Sequence, residues 1–497
     1  MSSFDLTKPT RQSVKGLVII FLQSIRQAVR MFWALIAVFV LQKNLLSNQF
    51  LVGSIVVLIL VLLIVHSILY YLNFYFYVSE GEFILKKGYL KKKVLAIPLE
   101  RIQSVNTKQN IIQQVLDVVS LEIDTAGTVG KELKIHALEK SLANELQKYI
   151  QKEKSQISFS ENEEVQKIEV AQEKPVLKLL PIDLLKIGIS QNHIKTGLII
   201  IAFGMQIFQQ VQDLFSEKAE QYSNEFFDFM SNSSVALITF MVIFFLFVSV
   251  IYSLVSSVIK YYDFTLFKKD KTYRIESGLL NKRNVVIPMK KVQQLNWETG
   301  PIKQIFGIYK LVFKQAVSGQ QNQKKQQLVD APGCLNNHLE LLKSDLFGED
   351  KLSGVHKFYS NKYYFWRLWM FSAWLPFILA APFLFKFYLF WLGAFVWIAI
   401  AAGYCYLILS KQYFNINNYQ IRVSNGAISQ TWRQMELYKI QAVEFRQTIF
   451  QKRRKLASLK LMNAAGSITI PFIDDKLALK MYNYLLYHTE NSNDKWM

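Results

Sequence analysis

"GYLKKKVLAIPLERIQSV", residues Gly88 to Val105, decides how the whole chain is read. Apolar and polar residues alternate here as they do in a half-buried strand. A membrane span would not hold Lys91, Lys92 and Lys93 together. A solvated charge run would not need Leu90, Val94, Leu95 and Ile97, which are expected to pack inward. The stretch also follows closely on Leu51–Leu72, a run without Asp, Glu, Lys or Arg.

The same stretch recurs twice. With Gly88, Gly278 and Gly426 as anchors, a glutamine stands fifteen positions later each time: Gln103, Gln293 and Gln441. Each glutamine follows a β-branched residue (Ile102, Val292, Ile440), and that residue follows a base (Arg101, Lys291, Lys439). Eighteen positions after each glutamine comes a leucine: Leu121, Leu311 and Leu459. Pro98 and Pro288 share a position that the third copy fills with Glu436. Such self-similarity marks a repeated structural unit. Period-2 patterning in "EFILKKG", "TYRIESG" and "QIRVSNG" predicts strands, and each glycine predicts a hairpin turn at positive φ. A proline ends the next strand, because it cannot donate to the ladder. Leucines spaced by about one helical turn close each copy (Leu138, Leu142, Leu146; Leu335, Leu339, Leu342; Leu477, Met481, Leu485), predicting an amphipathic helix.

Between the copies lie long apolar runs. Leu51–Leu72, Val235–Ile259 and Phe387–Ser410 lack charged residues and are long enough to cross ~30 Å of hydrocarbon as helices. A weaker run precedes each one: Met31–Gln42, Thr196–Gln212 and Leu368–Phe385. Three hairpins and six spans are therefore expected. Mean hydropathy is +0.16, with 37 Phe, 24 Tyr and 9 Trp.

A small antiparallel β-unit closed by a C-terminal helix has the form of a pleckstrin-homology (PH) domain. The pattern "IP-x-x-[RK]-[IV]-Q" resembles the second type of bacterial PH domain. Three copies, each after a membrane hairpin, resemble the YdbT-like membrane proteins. The expected fold is thus six transmembrane helices in α-helical hairpins, alternating with three α+β PH-like barrel or sandwich domains. Its parts are 1–72, an N-terminal segment and hairpin 1; 73–150, PH-like domain 1; and 151–193, a linker and interfacial segment. Then come 194–259, hairpin 2; 260–350, PH-like domain 2; 351–410, a juxtamembrane segment and hairpin 3; and 411–497, PH-like domain 3. Gln151–Pro175 is polar and mixed in charge, which predicts disorder. Leu179–Ser190 is amphipathic enough to lie at a membrane interface.

Formal net charge is +21. The bases concentrate in the repeats and the N-terminal segment, so the positive-inside rule places the repeats and both termini in the cytoplasm of a bacterial inner membrane. Candidate lipid- or partner-facing residues are Lys86, Lys87, Lys91, Lys92, Lys93 and Arg101 in the first copy. Lys282, Arg283, Lys290 and Lys291 are those of the second, and Arg433, Lys439, Lys452, Arg453 and Arg454 those of the third. Topogenic charge is the competing reading of the same residues. The repeated glycines and glutamines are read as structural, the glutamines satisfying backbone groups.

Two cysteines, Cys334 and Cys405, exclude a disulfide framework. Neither a metal-ligand pattern nor a catalytic motif is found, so no enzyme activity, metal or cofactor is expected. Aromatic platforms interleaved with the basic runs are missing, which disfavours nucleic acid. The expected function is a multispan scaffold whose PH-like domains bind one another, a partner protein or anionic lipid. The resemblance implies a smaller membrane partner with one PH-like domain. The alternative is part of a lipid or peptide transporter, with a cavity lined by His66, Gln206, Gln209 and Gln210.

Overall fold

The computed structural model describes residues 6–41, 49–125, 133–158, 174–214, 235–316, 329–348, 352, 354–384 and 388–491. The first unit opens with helices α1 (Gly16–Leu41) and α2 (Gln49–Leu72). Next come β1 (Tyr75–Ser79), β2 (Glu82–Lys87), β3 (Lys93–Pro98), β4 (Ile102–Gln109), α3 (Ile111–Val115), β5 (Val118–Thr125), β6 (Leu133–Glu139) and α4 (Lys140–Ser158). The second unit runs β7 (Lys174–Lys178), α5 (Pro181–Ile189), α6 (His193–Leu214), α7 (Val235–Tyr261), β8 (Thr265–Lys269), β9 (Thr272–Ser277) and β10 (Lys282–Pro288). It continues with β11 (Val292–Thr299), α8 (Pro301–Ile305), β12 (Tyr309–Gln315), β13 (Val329–Cys334) and α9 (Asn336–Phe347). The third unit has β14 (Phe358–Tyr359), α10 (Tyr363–Trp369), α11 (Leu375–Leu384), α12 (Tyr388–Lys411), β15 (Tyr413–Ile416), β16 (Gln420–Asn425) and β17 (Gln430–Glu436). β18 (Ala442–Arg446), α13 (Ile449–Arg453), β19 (Leu456–Asn463), β20 (Gly466–Asp474) and α14 (Asp475–Glu490) complete it.

The three copies fold alike. Each has two antiparallel meanders around one apolar core, and the repeated Leu121, Leu311 and Leu459 are fully buried in their respective cores. Leu142, Leu339 and Met481 turn the closing helices onto those cores. The anchor glycines adopt φ of 94°, 111° and 127°. A Cβ there would lie 2.4, 2.1 and 2.0 Å from the carbonyl oxygen three residues on (Lys91, Asn281, Ser429), so the turn admits only glycine. Pro98 and Pro288 precede one-turn 3₁₀ helices, and Glu436 does the same without a proline. The turn geometry therefore comes from the fold and does not need the ring.

The units are not separate beads. β1-β2-β3 form one sheet and β18-β19-β20 another, but the two sheets between them are shared. One has the order β6-β5-β4-β10-β9-β8-β7, the other β13-β12-β11-β17-β16-β15-β14. The fourth strand of one unit thus pairs with the third strand of the next. The strand that precedes each hairpin also joins the unit that follows it. Lys174 of β7 lies opposite Lys268, Phe358 of β14 opposite Phe414, and Thr10 forms a two-bond bridge with Phe76. Each helical hairpin therefore leaves the unit between two adjacent strands, a clamp at its base.

Three helices among the described residues are long and apolar enough to cross a membrane: Gly53–Leu72, Thr239–Tyr261 and Trp391–Lys411. Six were expected. His193–Ile207 is apolar but shorter, and the segment before α12 is interrupted by a π-helical turn over Met370–Trp374 and by Pro382. That segment packs along α12, with Trp369 donating to Ile398 O and Trp397 to Ser372 O. The Gln151–Pro175 linker is ordered at both ends, in α4 up to Ser158 and in β7 from Lys174; residues 159–173 lie outside the described set.

Candidate membrane-contact surface and the joints between units

The glycine turns reach the ends of the apolar helices. The Tyr89 hydroxyl meets His66 Nδ1 at 2.9 Å, Leu279 N donates to Ile259 O at 2.9 Å, and Lys411 Nζ donates to Ala427 O at 2.6 Å. His66 precedes the end of α2 by six residues, about 9 Å along the axis at ~1.5 Å per residue. The first turn therefore stands beside the last part of the helix, not below it. Leu90 is 88% exposed and Val94 58%. The expectation that both pack inward is corrected: Leu90 stands out from the turn, and Val94 lies on β3, an edge strand among the described residues. Lys91, Lys92 and Lys93 are exposed around them.

The short helices α3 and α8 lie beside the turns of the units that follow them, α8 through Gly300 against Ser429, and α13 is their counterpart in the third unit. They carry exposed Ile111, Ile112 and Val115; Ile302 and Ile305; and Ile449 and Phe450. These residues have no core to fill, and their repetition in three copies is a surface property. The sequence reading passed over them because five-residue helices give no periodicity to detect. Gln114 of α3 donates to Leu279 O and Leu280 O of the next unit's turn, at 3.1 and 3.0 Å, which fixes helix and turn side by side. α13 adds exposed Lys452, Arg453 and Arg454, and the Arg454 guanidinium lies 3.8 Å from the ring centre of Tyr363, the first residue of α10. α5 extends the same belt. Leu184 and Ile187 face inward, Gly188 abuts Leu254 of α7, and Leu180, Ile182 and Leu185 face out.

The basic candidates divide into two groups. Lys86, Lys91, Lys92, Lys93, Arg101, Lys282, Lys290, Lys452, Arg453 and Arg454 are exposed. Lys87 is half-buried, and its ammonium pKa is lowered by burial and by the charge of Lys93. Lys291 and Lys439 are not outward-facing and are corrected here: both are buried in the joints between units. Lys291 pairs with Asp124 of the first unit, and Lys439 donates to Val292 O of the second at 2.8 Å. Arg433 is half-buried in the second joint opposite Asn296, and burial lowers its pKa. Trp297 and Trp432 stack across the same joint, ring centres 6.0 Å apart.

Arg283 is also drawn inside. It bonds Ser277 Oγ at 2.9 Å and Asp330 at 3.3 Å. Asp330, on β13, also receives Lys260 Nζ at 2.7 Å and the Tyr261 hydroxyl at 2.5 Å, both from the end of α7. Burial opposes its ionisation, but the charges of Lys260 and Arg283 and the tyrosine hydrogen bond outweigh that and hold the carboxyl below its usual range. This cluster ties the helix end to the sheet. The repeated Gln103 and Gln293 sit at register shifts where β4 and β11 begin, while Gln441 N bonds Met462 O just before β18. All three mark the entry into the fourth strand of the unit.

His66 Nδ1 lies 2.9 Å from the Tyr89 hydroxyl. An open apolar groove described on this hairpin is lined by Phe50, Gly53, Ser54, Val57, Leu58 and Val61. Gln206 is exposed on α6, and the side chains of Gln209 and Gln210 lie outside the described residues.

Fold and surface together define a membrane protein built from PH-like repeats whose sheets are fused edge to edge. The family model of the bacterial PH domain matches residues 21–154, 225–332 and 373–489, and the chain belongs to that family. It is similar to the UPF0699 transmembrane protein YdbT of Bacillus subtilis (strain 168), with 23% identity over 443 residues, 85% of this chain and 87% of the relative. No solved structure matches it.

Proposed function

We propose that the protein is a non-enzymatic scaffold of the bacterial inner membrane, with three cytoplasmic PH-like units held against the inner leaflet by three two-helix hairpins. The observation that carries this reading is the contact of the three glycine turns with the ends of the apolar helices, together with the exposed apolar residues on the turns, the short helices and the α5 segment. An apolar residue flanked by lysines suits the headgroup boundary, where each nearby base adds about 1 kcal/mol on anionic lipid. The transporter alternative needs a polar cavity between hairpins, and the contact of His66 with Tyr89 gives it no support.

Two experiments test this reading. Reporter fusions at Ser155, Ser353 and the C-terminus are expected to read cytoplasmic, and one at Asn224 external. An external reading at Ser353 overturns the three-hairpin arrangement. For lipid contact, full-length protein in nanodiscs carries a fluorophore at L90C or F450C. Headgroup-level lipid quenchers are expected to quench both sites. K91Q/K92Q/K93Q is expected to reduce quenching at Leu90 in anionic discs, and high salt to do the same. Absence of quenching at both sites rules out the leaflet-facing surface.

A further inference from the structure

The two joints inside the chain use one register. In the first, Lys282 lies opposite Gln109, Arg283 opposite Lys108 and Asn284 opposite Thr107. In the second, Gln430 lies opposite Thr299, Thr431 opposite Glu298 and Trp432 opposite Trp297. Counted from the anchor glycines and glutamines, these are the same positions. One joining operation is therefore applied twice, and it leaves one half-joint over at each end. Among the described residues, β3 pairs with β2 alone and β18 with β19 alone.

Both leftover edges carry the marks of an incomplete joint. Ala96 is exposed, whereas its counterparts Val286 and Gln434 are 9% and 1% exposed. Ala442 is exposed, whereas Ser104 and Gln294 are buried; Val443 is half-exposed, whereas Val105 and Leu295 are buried. The repeated base behaves likewise. Lys291 and Lys439 reach back into the preceding unit and are buried there, while Arg101, with no preceding unit, is exposed. An open strand edge is a template for pairing.

We propose that β3 and β18 are the two halves of a third joint, closed between copies of this chain head to tail. The occupant of each edge is a second copy because the chain itself presents both halves. Applying the shared register puts Val94 opposite Phe445, where Trp432 faces Trp297 in the second joint. It puts Lys93 opposite Arg446 and lets Arg101 donate to Ile440 O, as Lys439 does to Val292 O. The like-charged pair has a precedent in the chain. Arg283 faces Lys108 in the first joint, each held by its own carboxylate, Asp330 and Glu122. Glu444 holds Arg446 in the same way, at 2.7 and 2.9 Å. A heterologous contact of this kind closes into a ring or extends as a row. That all hairpins then enter one bilayer rests on the arrangement proposed above; the edge pairing does not.

The test uses full-length chains in membranes, with C334A and C405A as background. One chain carries V94C and one tag, its companion F445C and another. Oxidation is expected to give a disulfide-linked species bearing both tags, and V94C with E444C, whose side chain points to the other face, is expected to give about tenfold less. R101E is expected to lower the V94C–F445C yield about tenfold, the loss of one charged hydrogen bond. A96P, which removes an outward N–H from an edge strand, is expected to abolish it while leaving the expression level unchanged. A linked species bearing one tag and a foreign protein overturns the second copy as occupant. Equal yields for F445C and E444C, or none with either, overturn the joint. The cross-link reports edge pairing whichever side of the membrane the units occupy, and the reporter fusions report the side.

Discussion

Replacing Asp330 with alanine is expected to destabilise the second unit by about 3–5 kcal/mol, the range for breaking a buried ion pair by removing one partner. Asp330 is buried, and it is the shared acceptor for Lys260, Tyr261 and Arg283. Without it, Arg283 keeps only Ser277, and the α7 end loses its bonds to β13. The expected result is a clear fall in the thermal midpoint of the detergent-solubilised protein, with early proteolysis between α7 and β13. D330N keeps one acceptor and is expected to fall between the two. The same site sets a pH dependence. Its folded carboxyl pKa is depressed, so its stabilisation is complete above the unfolded value of about 3.9 and is lost as pH falls through the folded value. Wild type is therefore expected to lose stability below about pH 4, and D330A to lose less in that window. An unchanged midpoint for D330A at neutral pH would show that the cluster does not anchor the helix.

Asp330 also shows where sequence reading stops. It lies in "VDAPGC", Val329–Cys334, a strand with a proline and a glycine and no repeat anchor. Nothing local distinguishes it from a surface aspartate, since its hydrogen-bond partners are 47 to 70 positions away. The repeats were legible for the opposite reason. Turn, 3₁₀ corner and strand entry each depend on a few adjacent residues, so their spacing survives unbroken from Gly88 to Leu121 and in both other copies. The open alternation of Leu90 and Val94 misled because period 2 reports a face and not whether that face is covered. The shared sheets were invisible too. One strand's pattern is the same whether its outer edge meets water, its own unit or the next. The buried Lys291 and Lys439 follow from that gap, for a base in a strand corner reads as exposed until a neighbour covers it. The clamp strands before the hairpins were missed because β7 and β14 are short and set in polar linkers.

The second large effect is expected at the anchor glycines, and the second unit offers an internal control. Gly278 has φ 111°, and an added Cβ would stand 2.1 Å from Asn281 O. That clash is with backbone, so no rotamer relieves it. The angle also lies beyond the left-handed helical region near +57°, so asparagine, which tolerates that region, gives no relief. Gly307 has φ 63° with nothing within 4 Å of an added Cβ. G278A and G278N are therefore both expected to be strongly destabilising, at least the 1–3 kcal/mol of a strained backbone position with the steric overlap added. G307N is expected to cost well under that. The Gly278 turn also receives the side chain of Gln114 and bonds the α7 end through Tyr262 O and Ile259 O. Loss of its geometry should loosen the first joint and the helix base together. Hydrogen exchange on the full-length protein reads both: faster exchange in β10, β4 and the end of α7 for G278A, with α4 and α14 unaffected. Equal effects of G278A and G307N would mean that the turn is set by its neighbours and not by the absence of a side chain.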